Sequence, residues 1–155
     1  MSCVFDPVRR LVVGVGNPDR GDDGAGLLVA RMLRDRLPPD VRIEERLGGA
    51  AELIELLREA DQAVLIDAMV SGAPAGTIRR FDCAVGDVAP GRGQASSHGL
   101  GVAEAVGLAS ALSCLPAVCL IYGVEAAEFS PGSDMSDAVV DGAEAVADRI
   151  AAEWG

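Results

Sequence analysis

The chain has 155 residues, of which 50% are hydrophobic, 3% are aromatic and none is lysine. This length predicts a single domain, residues 1–155, with an aliphatic core. The formal net charge of −11 excludes nucleic-acid binding, since a phosphate backbone requires clustered cations. The lack of lysine excludes P-loop and Schiff-base chemistry.

The chain start, MSCVFDPVRR, lacks the apolar segment of a signal peptide. The most apolar stretch, residues 101–124, carries Glu104 and is broken by Ser113 and Pro116, which favours a buried helix and strand over a membrane span. The four cysteines lack zinc-site spacing, so reduced thiols are expected. We therefore expect a cytoplasmic protein without membrane insertion that acts as a monomer.

Short apolar runs alternate with helical patterns along the chain, which is typical of an α/β fold. In chain order, the predicted elements are a strand at 11–15, a helix at 25–37, a strand at 41–47, a helix at 51–60, strands at 63–66 and 77–83, a helix at 98–113, a strand at 116–124 and a helix at 136–154. The connector 68–76 is too short for a helical crossover, which predicts that the strand at 77–83 runs antiparallel to the others.

The first candidate site lies between the first strand and the first helix, where residues 14–26 read GVGNPDRGDDGAG. A dinucleotide fingerprint would require glycine at position 19, which is Asp19, and neighbouring carboxylates disfavour a pyrophosphate. The acidic loop should instead attract cations. A helix needs only one capping residue, so capping accounts well for one of the two aspartates, Asp22 and Asp23, and only partly for both. Capping and a functional role therefore both stay open for each of them.

Asp67 follows the buried strand AVLI directly, at its carboxyl end. Ligands of open α/β sheets bind beyond such ends, where the strand order reverses. If the first and third strands are neighbours, with helices leaving to opposite faces, Asp67 shares a crevice with the loop of Asp22 and Asp23. The alternative is a turn aspartate bonded to the following backbone.

His98 is the only histidine, and it lies between a Gly-, Pro- and Ser-rich loop at 84–97 and an apolar helix. A lone histidine is often structural, but this one is predicted at the mouth of a helix. Two carboxylates and one imidazole suit a divalent metal with open coordination positions, such as nickel, zinc or iron. A zincin motif is impossible with one histidine, and no G-x-S-x-G elbow is present.

Three segments resemble the signature blocks of the hydrogenase maturation proteases: LVVGVGNPDRGDDGAG at 11–26, VLIDAMVSGAPAGT at 64–77 and SSHGLGVAEAV at 96–106. The resemblance runs in order from residue 11 to about residue 150. It implies a single three-layer α/β domain, whose five-stranded, mostly parallel, twisted sheet has one antiparallel strand and helices on both faces. It also implies that Asp23, Asp67 and His98 contact the metal and carry the catalysis.

Further expectations come from the same resemblance. Gly16, Asn17, Asp22 and Gly24 would form the supporting loop of the site. The metal would be nickel, carried by the substrate rather than permanently bound. One departure is the run LGGA at 47–50, where the family often has an acidic residue before Gly-Gly and a Thr or Ser after it. This run bears on substrate contacts rather than on the metal ligands.

The resemblance implies an endopeptidase that removes the C-terminal extension of a nickel-loaded [NiFe]-hydrogenase large-subunit precursor. The attacking water could be activated by the metal or by a carboxylate. Three alternatives stay open: a non-catalytic accessory factor that binds nickel or the precursor, a nucleotide-binding regulatory domain, and a metallohydrolase of small molecules.

Overall fold

The computed structural model describes residues 7–87 and 101–155. Within these ranges the strands are β1 (Arg10–Val15), β2 (Arg42–Arg46), β3 (Gln62–Met69), β4 (Ile78–Asp82) and β5 (Val118–Glu125). The helices are α1 (Ala25–Leu33), α2 (Ala50–Arg58), α3 (Val102–Ala111) and α4 (Asp137–Trp154). Two 3₁₀ turns, Gly21–Gly24 and Cys83–Val85, precede α1 and follow β4.

The five strands form one sheet in the order β2-β1-β3-β5-β4. β1 pairs in parallel with β2 and β3, β3 pairs in parallel with β5, and β4 is antiparallel to β5. The predicted fold class and the antiparallel strand are confirmed. β1 has its successor β2 on one side and β3 on the other, so the strand order reverses beside β1. The topology therefore predicts a ligand site at the carboxyl ends of β1 and β3.

Successive side chains of the central strands enter two separate cores, since a strand alternates its side chains between faces. On β3, Val64 and Ile66 pack in a core that includes Val29 of α1 and Val146 of α4. The intervening side chains of β3 pack with residues of α2 and α3; these strand residues are Ala63 and Leu65. The molecule thus has three layers, and odd-numbered residues of β3 face α2 and α3.

Two predicted boundaries need correction. α1 ends at Leu33 rather than at residue 37, because residues 34–36 continue as a tighter turn in which the Arg36 N–H bonds to the Leu33 carbonyl. β3 does not end at residue 66. It continues to Met69, since β5 offers it backbone partners along its whole length. Asp67 therefore lies inside a strand, and the turn-aspartate alternative is wrong.

The remaining elements agree with the predicted ones to within a few residues at the ends that the structure describes. The helix predicted at 98–113 is seen as α3 from Val102, and its first residues lie outside the described ranges, as does most of the loop predicted at 84–97. The face of α4 that packs on the sheet is apolar, and its buried side chains are Val139, Ala143, Val146, Ala147, Ile150 and Trp154. None of the described helices is long and apolar enough to cross a membrane.

The backbone of α1 approaches the sheet closely at two glycines. A Cβ atom on Gly26 would overlap the carbonyl oxygens of Ile66 in β3 and Val15 in β1. A Cβ atom on Gly14 of β1 would overlap the Gly26 carbonyl oxygen. Both positions thus require glycine, and the start of α1 is seated directly on the carboxyl ends of β1 and β3.

Gly26→Ala should destabilise the fold by about 3 kcal/mol, because the clash is with backbone that cannot move aside easily. Gly107→Ala is the matched control: Gly107 lies within α3, and a Cβ atom there would enter open space. That change should be neutral or stabilise the helix by up to about 1 kcal/mol. Urea unfolding of both variants measures their free energies of unfolding. Equal destabilisation by the two substitutions would contradict the close packing of α1 on the sheet.

Candidate functional site

Asp23 lies in the turn Gly21–Gly24 that joins β1 to α1, and its side chain is buried, with the residue 1% exposed. Its Oδ2 accepts a hydrogen bond from the Asn17 backbone N–H at 3.2 Å. Gly16 packs so closely that a Cβ atom there would overlap the Asp23 carbonyl oxygen. Of the predicted supporting residues, Gly16 and Asn17 therefore contact Asp23. A Cβ atom on Gly24 would meet only ordinary contacts, the nearest at 3.4 Å from Met135 Cε.

Asp67 lies in β3, one residue beyond the pair formed by Gly14 and Ile66, and it is 5% exposed. Its odd number places its side chain on the face that α2 and α3 cover. The turn that carries Asp23 contacts β3. The structure thus brings Asp23 and Asp67, as buried carboxylates, to the same end of the sheet, as the neighbouring first and third strands predict.

His98 lies outside the described residues, so the prediction that it joins the two aspartates stays a prediction. Among residues 7–87 and 101–155, no group of three or more His, Cys, Asp or Glu side chains is arranged to hold a metal. Asp23 and Asp67 are the described members of the predicted set. Carboxylates held at a sheet end can serve as metal ligands or as general bases.

Asp22 has a role that sequence reasoning missed. It is fully buried, and its carboxylate accepts hydrogen bonds from the backbone N–H groups of Ala127, Glu128 and Ser136 and from the Ser136 hydroxyl, at 2.7–2.9 Å. Asp22 makes no capping bond to α1, whose N-cap is Gly24. The residue instead ties the β1–α1 turn to the segment between β5 and α4.

The hydrogen bonds set the ionisation of Asp22. Burial alone would raise the pKa of this carboxyl group, but the bonds donated by Ser136, Ala127 and Glu128 outweigh it and lower the pKa below the ordinary value of 3.8. The folded protein therefore favours the ionised form. The stability that Asp22 contributes is fully present above pH 3.8 and is lost as the pH falls through the lower folded-state value.

Glu125 is a second buried carboxylate that sequence reasoning missed. It ends β5 opposite Met69 and is 2% exposed. Its Oε1 accepts hydrogen bonds from the N–H groups of Ser71 at 2.7 Å and Gly72 at 3.0 Å, and its Oε2 accepts one from the Ser71 hydroxyl at 2.8 Å. Glu125 thereby holds the connector that follows β3. An acidic residue at the end of the apolar run VCLIYGVE was the signal that could have identified it.

Asp22→Asn should lower the free energy of unfolding at neutral pH by about 2–3 kcal/mol, because an amide presents N–H groups to donors that a carboxylate satisfied. The difference in unfolding free energy between the variant and the native chain should shrink below pH 3.8, because the Asp22 carboxyl group is then protonated in the unfolded native chain. Urea unfolding at several pH values measures both effects. The exposed Asp19→Asn is the control and should change stability by less than about 0.5 kcal/mol. A pH-independent difference would contradict the conclusion that Asp22 stabilises the fold in its ionised form.

Comparisons with known proteins add a family relationship. The family model described as "Hydrogenase maturation protease" (HycI) matches residues 29–153, a range that includes Asp67 and His98 and begins after Asp23. The hydrogenase expression/formation protein HupD of Thiocapsa roseopersicina is 31% identical over 123 residues, which are 76% of this chain and 54% of that protein. The chain thus spans about half the length of this relative.

Two solved structures share the fold. The hydrogenase maturating endopeptidase HybD from E. coli superposes with a TM-score of 0.76 at 23% identity, over 94% of this chain and 91% of that chain. The [NiFe] hydrogenase maturation protease HycI from Thermococcus kodakarensis KOD1 superposes with a TM-score of 0.70 at 26% identity, over the same shares of the two chains. The first likeness establishes the fold, and the second agrees with the family match.

Proposed function

This chain belongs to the hydrogenase maturation protease family, and we propose on that premise that it is an endopeptidase acting on a [NiFe]-hydrogenase large-subunit precursor. It would remove the C-terminal extension of the nickel-loaded precursor. The observation that carries the proposal is the placement of two buried carboxylates, Asp23 and Asp67, at the end of the sheet where the strand order reverses, in a chain whose family match covers 29–153.

Asp23, rather than its neighbour Asp22, is the proposed ligand from the first turn. The oxygens of Asp22 accept hydrogen bonds from the segment that joins β5 to α4. A carboxylate engaged in this way cannot turn toward β3 without breaking these part-buried hydrogen bonds, and a hydrogen bond to a charged group contributes about 1.5–3 kcal/mol. The Asp23 carboxylate accepts a hydrogen bond from the backbone N–H of Asn17, nearby in the chain, and the turn that carries Asp23 contacts β3.

His98 is proposed as the third ligand. It precedes α3, which begins at Val102 and packs on the sheet face toward which Asp67 is directed. Two carboxylates and an imidazole leave coordination positions open on a divalent metal, so a nickel ion that arrives with ligands from the precursor can be shared between the two proteins. In this proposal nickel is part of the substrate and serves in its recognition.

Hydrolysis then requires a water molecule to attack the carbonyl carbon of the scissile peptide, with a proton delivered to the leaving amine. Docking through the nickel would hold the precursor tail in the crevice and convert this attack into a reaction between positioned groups. The water would be activated by the nickel or by one of the two carboxylates, of which Asp67 lies within β3.

Asp23→Asn, Asp67→Asn and His98→Ala should each slow trimming of a nickel-loaded precursor by at least about 100-fold, because each change removes a metal ligand or a base. Asp141→Asn, which alters an exposed carboxylate on α4, is the control and should trim at the native rate. Intact mass of the precursor, measured over time with and without nickel, records the trimming. The native chain should shorten only the nickel-loaded form.

Native-rate trimming by Asp67→Asn or His98→Ala would contradict the proposed site. A native chain that binds the nickel-loaded precursor without shortening it would instead support the accessory-factor alternative. Circular dichroism spectra of the variants distinguish the loss of a metal-ligating side chain from the loss of the folded structure. Trimming of precursors from different hydrogenases by the same assay would identify the partner.

A further inference from the structure

Two cysteines lie side by side at the end of the sheet opposite the candidate site. Cys119 is buried near the start of β5, and Cys83 is half-buried and opens the turn after β4. The antiparallel register of β4 and β5 ends with Asp82 opposite Leu120, and one further step places Cys83 opposite Cys119. In this arrangement the two thiols are close enough for each to shift the pKa of the other.

The spacing of these strands suits a covalent link. Opposed residues of antiparallel strands have Cα atoms about 4.5–5.5 Å apart, within the range of about 4.4–6.8 Å that disulfides span. The turn Cys83–Val85 contacts β5, so the register holds beyond the last pair of the ladder. Neither thiol belongs to the site of Asp23 and Asp67, since Cys119 pairs with Ala63 at the amino end of β3.

Cys83 also borders a cavity of about 220 Å³ between the turn after β4 and one side of α3. The cavity is also lined by Gly86, Asp87, Ala103, Gly107 and Ser110. Because a water molecule occupies about 30 Å³ in the liquid, this space admits a small oxidant such as hydrogen peroxide. Cys119 does not line the cavity, so an oxidant that enters it reaches Cys83 first.

The pKa values of the two thiols differ in the direction that favours reaction at Cys83 first. The hydrogen bond from Cys119 lowers the pKa of Cys83, although burial and the carboxylates of Asp82 and Asp87 oppose that effect. The same contact, together with burial, raises the pKa of Cys119. Cys83 is therefore the better thiolate, and the thiolate is the form that attacks an oxidant.

We propose that Cys83 and Cys119 form a peroxide-reactive thiol pair, with Cys83 the attacking residue and Cys119 the resolving one. The Cys83 sulfur attacks hydrogen peroxide, so that an S–O bond forms, the O–O bond breaks and hydroxide leaves to become water. The Cys119 sulfur then attacks the Cys83 sulfur, an S–S bond forms, and the hydroxyl group leaves with the Cys119 proton as a second water. The pair is oxidised by two electrons, and a thiol reductant restores it.

Treatment of the reduced full chain with hydrogen peroxide tests the proposal by intact mass and peptide mapping. The mass should fall by two hydrogens, one peptide should join Cys83 to Cys119, and dithiothreitol should reverse both changes. Cys83 should react faster than Cys114 in the same molecule by on the order of tenfold. This comparison uses the native chain and is independent of how any variant folds.

Two variants sharpen the result. In Cys119→Ser the resolving thiol is missing, so Cys83 should gain one oxygen and become trappable by dimedone. Replacement of Cys3 and Cys114 together by serine is the matched control and should leave the rate of disulfide formation unchanged. The proposal is wrong if Cys83 reacts no faster than Cys114, if the disulfide joins other cysteines, or if the control variant loses the reaction.

Discussion

The close contact of the α1 backbone with β1 and β3 is the constraint on which the candidate site depends. Gly26 rests against the carbonyl oxygens of Val15 and Ile66, where any Cβ atom would overlap them. This contact fixes the height of α1 above the sheet, and the turn that precedes the helix must therefore lie over the carboxyl ends of both strands. Asp23 lies next to β3, the strand that carries Asp67, because α1 packs so closely on the sheet.

Two adjacent aspartates have different roles in this turn. Asp22 accepts hydrogen bonds from the segment that leads from β5 into α4, so it ties the turn to that segment. Asp23, the next residue, accepts a hydrogen bond from the Asn17 N–H, and the turn that carries it contacts β3. Glu125 acts in the same manner as Asp22 on the connector after β3. Carboxylates thus hold two loops at this edge, and the proposed ligands depend on that framework.

Much of this architecture could be predicted, because alternating apolar runs and a short connector constrain a sheet strongly. The antiparallel β4 followed from the length of residues 68–76, and the crevice followed from strand ends. The bond partners of Asp22 could not be predicted, since they lie more than 100 residues away in the chain and depend on tertiary packing. The true end of β3 was missed because pairing with β5 extends the strand through the charged Asp67. The placement of His98 falls outside the described residues.

We propose that Asp23 and Asp67, with His98, form a site of oxygen and imidazole ligands for a nickel-like divalent ion. X-ray absorption spectroscopy of the full chain loaded with one equivalent of Cd²⁺ tests this proposal directly, because sulfur lies farther from cadmium than oxygen or nitrogen, and an imidazole ring is recognised by scattering from its outer atoms. The shell should contain carboxylate oxygens and one imidazole, and the imidazole signal should be lost in His98→Ala. A native shell without imidazole, or an imidazole signal that persists in His98→Ala, would contradict the proposed site.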